Sequence, residues 1–338
     1  MEYLIMFAHC IAVKGASRSI ICDIQRGTYD FIPESLYQFG QEVDKKPINE
    51  IVNEYSNDEK EIATSYINFL IDSEYAFLTK HPEYYPALNK EYKNTMMIDN
   101  AIIDWDADSR YNYQNITSQL QQLNCQNIEL RFFDNISFDK LEEILGNFAY
   151  GPVRSIEILL KYSANSSFIS RVENLITNHA RISLICIHTI PEQIISSIDC
   201  GPQILLTPES IKDETHCGIV NSSFFSVNQN LFLESLQYNN CLNAKVSIDR
   251  KGNIKNCPSM QFSFGSIDEI SLEKVVESDD FQKMWKINKD MIDTCKDCEF
   301  RYICTDCRAY TTDNNRHYSK PKKCTYNPYK ATWEEYTL

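Results

Sequence analysis

Apolar residues in the first 82 positions form short extended runs and then recur at helical spacing. The extended runs predict three strands, at Leu4–Phe7, Ser19–Ile24 and Tyr29–Pro33, with Gly15 and Gly27 at turns. Helical spacing follows in three segments: Glu34–Phe39, Ile48–Tyr55, and one that begins at Ser56 or Asp58 and ends near Ile71. A short strand at Ala76–Leu78 completes this part, so residues 1–82 are predicted to form one small module.

A repeated pattern begins after a polar and aromatic linker at residues 83–98. Short apolar runs predict five strands, at Ala101–Trp105, Ile128–Phe133, Ile156–Leu160, Ile182–Ile187 and Ile204–Leu206. Amphipathic segments predict helices between them, at Asn115–Leu123, Phe138–Leu145, Phe168–Thr177 and Pro191–Ile198. Because strand and helix alternate, residues 99–238 are predicted to form a parallel sheet or a partial βα barrel that is covered on at least one face.

Predicted elements become shorter from residue 218 onward. We expect a strand at Ile219–Val227 and a short helix after it. The run Lys245–Asp249 predicts a strand that turns back at Gly252, which supplies a positive φ, into a second strand at Ile254. Two short helices are expected next, one capped by Ser271 and the other by Ser278 or Asp279.

Composition and charge restrict the classes of partner that this 338-residue chain can bind. A hydrophobic content of 43% is enough for packed cores. The formal net charge of −14 argues against nucleic acid, whose phosphates require a basic surface, and against an anionic membrane. The first residues do not form a signal peptide, and no later apolar run approaches the length of a membrane span. We therefore expect a cytoplasmic protein with neither nucleic acid nor a membrane as partner.

Cysteine is the residue type that carries candidate chemistry, with thirteen in the chain. Seven lie in the last hundred residues, and four of these form the motif C-x2-C-x5-C-x2-C; the seven are Cys241, Cys257, Cys295, Cys298, Cys304, Cys307 and Cys324. Clustered thiols in a reducing compartment are more often metal ligands than disulfides. An iron–sulfur cluster, a zinc ion and a non-metal role all stay open, although the short loops favour iron–sulfur. The isolated cysteines are predicted to be structural: Cys10, Cys22, Cys125, Cys186 and Cys200.

The whole pattern of seven cysteines resembles the SPASM domain of radical-SAM peptide maturases. The match runs C-x10-G-x4-C, a gap, C-x2-C-x5-C-x2-C, a gap and a last cysteine, with Gly252 as the glycine. The family usually has three residues, rather than two, between Cys304 and Cys307, and this departure puts Cys307 in doubt. The resemblance implies two [4Fe–4S] clusters, the first held by Cys295, Cys298, Cys304 and Cys324. It implies that Cys241, Cys257 and Cys307 hold part of the second cluster, for which Cys217 is the expected upstream ligand.

A radical-SAM enzyme also needs C-x3-C-x2-C after its first barrel strand, for the cluster that binds S-adenosylmethionine. This motif occurs nowhere in the chain, and the loop at 106–113 contains no cysteine. The second predicted barrel strand ends in Arg131-Phe132-Phe133-Asp134, without the glycines that hold the amino group of S-adenosylmethionine. The predicted fold class is therefore α/β: a degenerate radical-SAM-like partial βα barrel that does not use S-adenosylmethionine, followed by a SPASM domain at residues 239–338.

This combination resembles the grasp-with-spasm maturases, which accompany an ATP-grasp peptide ligase. Further matching stretches are Val13–Ala16 and Ile32–Leu36. Residues 1–82 also resemble the winged-helix peptide-recognition modules of ribosomal-peptide maturation enzymes, which bind a leader peptide as an added strand. The resemblance implies an accessory protein with a ribosomal precursor peptide and an ATP-grasp peptide ligase as partners. A redox enzyme that acts through its clusters and a zinc-stapled peptide-binding scaffold are the alternatives, and no catalytic residue is predicted.

Overall fold

The N-terminal part combines two small antiparallel sheets with three helices. The computed structural model describes residues 1–43, 45–196, 201–313 and 316–334. Strand β1 (Tyr3–Met6) pairs with β5 (Ala76–Thr79), and the second sheet has the order β2-β3-β4, formed by Cys10–Val13, Ser19–Asp23 and Thr28–Ile32. Helices α1 (Glu34–Val43), α2 (Ile48–Glu54) and α3 (Asn57–Asp72) lie between β4 and β5.

Local sequence signals account for most of this part. Ser56 precedes α3, and its backbone N–H donates to the Glu59 carboxylate at 3.0 Å, which is a capping box and decides the predicted start in favour of Ser56. One difference is an additional strand, because the sequence pattern predicted three strands before α1 and the structure has four. Strand β2 was missed because its four residues, C-I-A-V, lack polar alternation and follow β1 after a tight turn.

A seven-stranded sheet forms the centre of the molecule. It contains β6 (Asn100–Trp105), β7 (Asn127–Phe132), β8 (Ser155–Lys161), β9 (Ile182–His188), β10 (Ile204–Leu206), β11 (Lys245–Ile248) and β12 (Ile254–Lys255). The order is β10-β9-β8-β7-β6-β11-β12, and every neighbouring pair is parallel except β11 with β12. The five predicted strands and the parallel sheet are therefore confirmed. Strand β11 comes from the segment predicted as the SPASM domain, yet it completes this sheet beside β6.

The two faces of the central sheet differ in chemistry. Helices α4 (Tyr113–Gln122), α5 (Phe138–Asn147) and α6 (Phe168–Asn178) pack on the apolar face, which belongs to the largest hydrophobic core. The short helix α7 (Glu192–Ile195) follows β9; of the predicted Pro191–Ile198 helix, residues 197 and 198 lie outside the described residues. Side chains alternate along a strand, so the opposite face carries Asp104, Glu129, Arg131, Glu157 and Lys245. This polar face is the one that borders the cysteine-rich segment.

The C-terminal part has short elements joined by turns. They are α8 (Gln229–Gln237), α9 (Leu272–Val276), α10 (Asp279–Gln282), β13 (Tyr326–Asn327) and β14 (Thr332–Trp333). Ser271 and Ser278 cap α9 and α10 as predicted. The predicted strand at Ile219–Val227 was wrong, because Asn221 accepts a hydrogen bond from the Ser223 backbone and bends the chain into a short 3₁₀ turn. None of the helices in the described ranges combines the length and apolar character needed to cross a membrane.

Candidate metal centre

Tight turns bring three cysteines of the central motif to one side of the chain. Thr294 adopts a positive φ of 69°, and a single 3₁₀ turn covers Cys295–Asp297. The Cys298 N–H donates to the Cys295 carbonyl at 3.0 Å, and the Cys304 N–H donates to the Phe300 carbonyl at 3.1 Å. These turns wrap the backbone around a common centre, as the spacing predicted.

We define the first cysteine set as Cys295, Cys298, Cys304 and Cys324. All four line one cavity, whose volume is about 30 Å³. Aromatic side chains form much of the remaining wall; they are Phe225, Phe300, Tyr326 and Trp333. Cys324 reaches this cavity because a parallel β-bridge joins it to Val220. The structure therefore brings together the four residues predicted to share the first cluster.

Burial makes these thiols poor thiolates without a metal. It raises the pKa of Cys295 to about 12, and it raises the pKa values of Cys298 and Cys304 as well. One buried cation opposes this effect: the Lys289 ammonium, which donates to the carbonyls of Cys304 and Thr305 at 2.9 and 2.8 Å. A metal bound here must displace the thiol protons, so its binding is coupled to proton release and to folding.

We define the second cysteine set as Cys217, Cys241, Cys257 and Cys307. Burial raises the pKa of Cys257 to about 12, and the nearby Cys241 and Cys217 thiols add to the rise. Burial raises the pKa of Cys307 too, with a further contribution from Cys241. These contributions agree with the chain geometry, in which Gly218, the residue after Cys217, lies against the Cys307 Sγ. The structure thus groups the three predicted partial ligands with Cys217, the expected upstream one.

The β11–β12 hairpin and the turn at Gly218 explain how the four cysteines of the second set come together. Cys241 and Cys257 lie beyond the two ends of the β11–β12 hairpin, which turns at Gly252 with a φ of 81°. Gly218 lies against Cys307, because a Cβ atom on this glycine would come within 2.8 Å of the Cys307 Sγ. Its φ of 85° also favours glycine. Gly218, directly after Cys217, is therefore the sequence feature that indicates a close approach of Cys217 to Cys307.

A polar network that the cysteine spacing did not predict supports the loop between the two sets. Asp306 is buried, accepts from the Asn239 amide at 2.7 Å and pairs with Arg308 at 2.8 Å. Asn239 in turn accepts the Cys241 N–H at 3.0 Å. Lys245 adds a cation, with its Nζ 4.0 Å from the Cys241 Sγ. A buried aspartate inside a cysteine motif was the available signal, since a charge is rarely buried without a partner.

The N-terminal part docks on this cysteine segment. The Ala16 N–H donates to the Asp297 carbonyl at 2.8 Å, and the Arg18 guanidinium pairs with Glu299 at 2.8 Å. Gly15 is required here, because a Cβ atom would come within 2.9 Å of the Glu299 Cβ. The matching stretch Val13–Ala16 therefore includes residues that contact the loop of the central cysteine motif.

The distances between the sulfur atoms distinguish a site for a single metal ion from a site for an iron–sulfur cluster. Zinc binds sulfur at about 2.3 Å, so the sulfurs of one tetrahedral site lie about 3.8 Å apart. Within the described ranges, only His9, Cys10 and Asp23 bring three ligand atoms within 4.8 Å of one another. Neither cysteine set is gathered so tightly, although the first surrounds an open cavity. Thiolate donors around such a space fit an iron–sulfur cluster better than zinc.

The other cysteines lie apart from both sets. Cys22 and Cys125 are buried, as a structural role predicts, and Cys186 is half-buried on the polar face of the central sheet. Cys200 lies outside the described residues. Cys10 is buried but has polar neighbours, His9 and Asp23.

An ion pair lies on the polar face near the carboxyl ends of β6 and β7. The Arg131 guanidinium binds both carboxylate oxygens of Asp104, at 2.5 and 2.8 Å, and both side chains are buried. Burial alone would lower the pKa of Arg131, but the Asp104 carboxylate outweighs it and raises that pKa. The Tyr111 hydroxyl donates to the Asp104 carbonyl, which closes the loop after β6 over this pair. The side chains of Asp104 and Arg131 thus occupy the space at the carboxyl ends of β6 and β7.

Residues 240–299 match the family model of SPASM, the iron–sulfur cluster-binding domain. The chain therefore carries a SPASM iron–sulfur domain in its cysteine-rich C-terminal part. The matched segment contains Cys241, Cys257, Cys295 and Cys298, while the other four predicted ligands lie outside it.

The solved structures that resemble the chain include the Streptococcus suis protein SuiB. SuiB bound to S-adenosylmethionine aligns at 11% identity with a TM-score of 0.32, over 90% of this chain and 96% of that one. SuiB bound to precursor peptide SuiA aligns at 11% identity with a TM-score of 0.35, over 94% and 99%. At these values the likeness carries no argument about what this chain binds or does. No curated protein matches the chain.

Proposed function

We propose that this chain is an accessory maturase that binds a ribosomally made precursor peptide, carries two [4Fe–4S] clusters and acts with an ATP-grasp peptide ligase. The observation that carries the proposal is the grouping of eight cysteines into two sets of four around an iron–sulfur domain. The acidic chain has no nucleic-acid partner in this proposal, and it acts in the cytoplasm.

Each cysteine set would hold one cluster. The first set would contribute Cys295, Cys298, Cys304 and Cys324, and the second would contribute Cys217, Cys241, Cys257 and Cys307. When bound, such clusters supply one-electron transfer and fix the surrounding loops. Lys289 and Lys245 would each place a buried positive charge beside one set, which offsets part of the negative charge that four thiolates create.

The proposal excludes cleavage of S-adenosylmethionine. It is supported by the sequence, which lacks C-x3-C-x2-C, and by the loop after β6, which has no cysteine. The buried pair of Asp104 and Arg131 occupies the strand ends of a partial barrel where an additional cluster would need thiolates. The barrel then serves as a scaffold that keeps the polar face of its sheet next to the second cysteine set.

A groove in the N-terminal part supports the peptide-binding role. Its volume is about 380 Å³, and β1, β2, α1 and the start of the linker line it. Strand β2 is at the edge of its sheet, so one of its backbone edges is available to an added strand. A leader peptide bound there would extend the β2-β3-β4 sheet, which is how a winged-helix recognition module works.

Gly40 offers a direct test of this groove. It lies in α1 and lines the groove, and a Cβ atom at this position would have no neighbouring atom within 4 Å, so leucine adds bulk into open space. We expect Gly40→Leu to weaken binding of a fluorescent precursor peptide at least tenfold in an anisotropy titration. Gly146→Leu is the matched control, because Gly146 in α5 has equally open surroundings far from the groove. Equal affinity for both variants would argue against the groove as the peptide site.

Metal content tests the clusters independently. Protein prepared without oxygen is expected to hold roughly eight iron and eight sulfide per chain. Cys298→Ala should remove about half, and Cys186→Ser should remove none. Colourless protein that instead binds zinc at the same cysteines would favour the zinc-stapled scaffold. A change in peptide mass that depends on cluster reduction would favour the redox-enzyme alternative, and failure to bind an ATP-grasp ligase would remove the accessory role.

A further inference from the structure

A second group of metal-binding side chains lies in the N-terminal part. His9 is in the turn between β1 and β2, Cys10 begins β2, and Asp23 ends β3. Cys10 and Asp23 are direct partners in the antiparallel register, so their side chains lie on the same face. The Ile24 N–H donates to the His9 carbonyl at 3.0 Å, which holds the turn against the end of β3. One donor atom from each of the three residues lies within 4.8 Å of the other two.

One oxygen of the Asp23 carboxylate accepts hydrogen bonds, whereas the other accepts none and has only the longer ion-pair contact with Arg26. Its Oδ1 accepts the backbone N–H groups of Gln25 and Arg26 at 3.0 and 2.7 Å. Its Oδ2 is buried and has no hydrogen-bond partner, although Asp23 is 0% exposed. A buried carboxylate oxygen that accepts no hydrogen bond is unfavourable, so a bound cation would stabilise it. The His9 Nε2 lies 3.8 Å from this oxygen, too far for a hydrogen bond and suitable for a shared ligand.

The arrangement does not suit a cysteine nucleophile. Burial and the neighbouring Asp23 raise the pKa of the Cys10 thiol to about 12, whereas a nucleophile needs a lowered one. Cys10 is also only 5% exposed. Arg26 is the cation nearest to the Asp23 Oδ2, with its Nε 3.5 Å away, but it already binds Glu74 and is half-exposed. Arg26 can therefore shift fully to Glu74 when another cation takes its place.

We propose that His9, Cys10 and Asp23 bind one divalent transition-metal ion of the zinc class, in a site separate from both cysteine sets. Sulfur, imidazole and carboxylate together suit zinc or cobalt and exclude magnesium and calcium, which take oxygen ligands. The ion uses the Asp23 Oδ2, and its fourth position opens towards the surface beside His9, whose side chain is 27% exposed. The bound ion ties the β1–β2 turn to the end of β3 next to the groove that Cys10 also lines.

The test uses full-length protein whose iron–sulfur clusters have been loaded, so that the C-terminal thiols are occupied. Cobalt(II) is the probe, because a cysteine ligand gives a sulfur-to-cobalt absorption band and a tetrahedral site gives strong visible bands. We expect one equivalent of cobalt to bind with both signals and zinc to displace it. Cys10→Ser should abolish the sulfur-to-cobalt band, and His9→Gln should weaken cobalt binding at least tenfold.

Two further variants separate ligation from folding. Asp23→Asn keeps an oxygen that accepts from Gln25 and Arg26, so the turn persists while the anionic ligand is lost; cobalt binding should fall at least tenfold. Cys22→Ser is the control, since Cys22 is a buried neighbour in the same strand and should leave the cobalt signals unchanged. The proposal is overturned if wild type binds no cobalt or if Cys10→Ser leaves the intensity of the sulfur-to-cobalt band unchanged. Because the readout is the difference between wild type and Cys10→Ser, cobalt held by the C-terminal cysteines cancels, and failure of this site is distinct from failure of the proposed function.

Discussion

The two cysteine sets have the same donor atoms but different surroundings. The first set lines a cavity walled by aromatic side chains, and the N-terminal part docks on the same cysteine loop through the ion pair of Arg18 and Glu299. The second set borders the polar face of the central sheet, where Lys245, Glu129 and Glu157 line a shared depression, and its member Cys217 is exposed. In the proposed function, the first set would therefore mainly stabilise the fold, while the second would be the one that a substrate can approach.

Removal of one cysteine from each set should give the largest difference in iron content and in free energy of unfolding. Cys298→Ala opens the enclosed set, so we expect loss of about half the iron and a decrease of about 4 kcal/mol or more in the free energy of unfolding of the loaded protein. Cys217→Ala removes an exposed ligand and should lower stability by about 1 kcal/mol or less. Iron analysis with chemical denaturation measures both effects. Equal destabilisation by the two substitutions would contradict the assignment of different roles.

The docking of the N-terminal part on the cysteine loop can be tested at Arg18. Its guanidinium pairs with Glu299, whose side chain is 0% exposed and also accepts from the Tyr326 hydroxyl. Arg18→Met leaves that carboxylate buried and uncompensated, so we expect a loss of about 2 to 3 kcal/mol in unfolding free energy. Arg154→Met is the control, because Arg154 is exposed and distant from this pair. If both variants unfold at the same denaturant concentration, the docking contact does not stabilise the first set.

The polar surroundings of the second set predict a pH effect at Glu234. Burial raises the pKa of Glu234 to about 7, although Asn243 and Lys245 oppose the rise. A carboxyl group with a raised folded-state pKa stabilises the protein below its unfolded-state pKa and loses this contribution as pH rises through about 7. After a discount for partial exposure, Glu234→Gln should therefore be more stable than wild type by about 1 to 2 kcal/mol at about pH 8.

The same two proteins should differ little at about pH 5, because Glu234 is then protonated in the folded state. The amide of glutamine keeps an acceptor for the Asn243 side chain, which donates to Glu234 at 2.8 Å. The measurement is the denaturant concentration at the midpoint of unfolding, compared between wild type and Glu234→Gln across this pH range. A stability difference that does not change with pH would mean that Glu234 is not protonated on folding.

The smallest expected effect concerns charge beside the second set. Lys245→Met removes the ammonium near Cys241, so the reduction potential of the cluster held there should become more negative by on the order of 50 millivolts. The potential of the first cluster, which has Lys289 beside it, should stay unchanged. Redox titration followed by electron paramagnetic resonance separates the two clusters. Equal shifts in both potentials would show that the lysine acts on the whole domain and not on one set.

Sequence reasoning succeeded where a local pattern decides the structure. The alternation of apolar runs and amphipathic segments gave the strands and helices of the central sheet, because side-chain periodicity is a local property. Cysteine spacing predicted that Cys295, Cys298 and Cys304 lie on consecutive tight turns, whereas Cys324 joined the first set only through the family resemblance. Sequence reasoning failed at Ile219–Val227, where the Asn221 side chain caps a 3₁₀ turn and so interrupts the apolar run that had predicted a strand. The site at His9, Cys10 and Asp23 could not be predicted, because strand pairing joins residues that are distant in sequence.

Buried charges were the other feature that spacing could not predict. Lys289 and Asp306 became part of the candidate centre only because the fold surrounds them with the cysteine loops. The ion pair of Asp104 and Arg131 likewise depends on the register of β6 against β7. Their roles are set by tertiary contacts, which a single sequence does not contain.

The placement of β11 beside β6 determines how the protein can be divided. A chain ended before Lys245 would leave the β6 edge bare, with a row of unsatisfied backbone groups ready to join another molecule. Neither half is then an independent building block. In the proposed function, failure to load the clusters would be expected to loosen the segment that supplies β11, expose the β6 edge and promote aggregation of the whole chain.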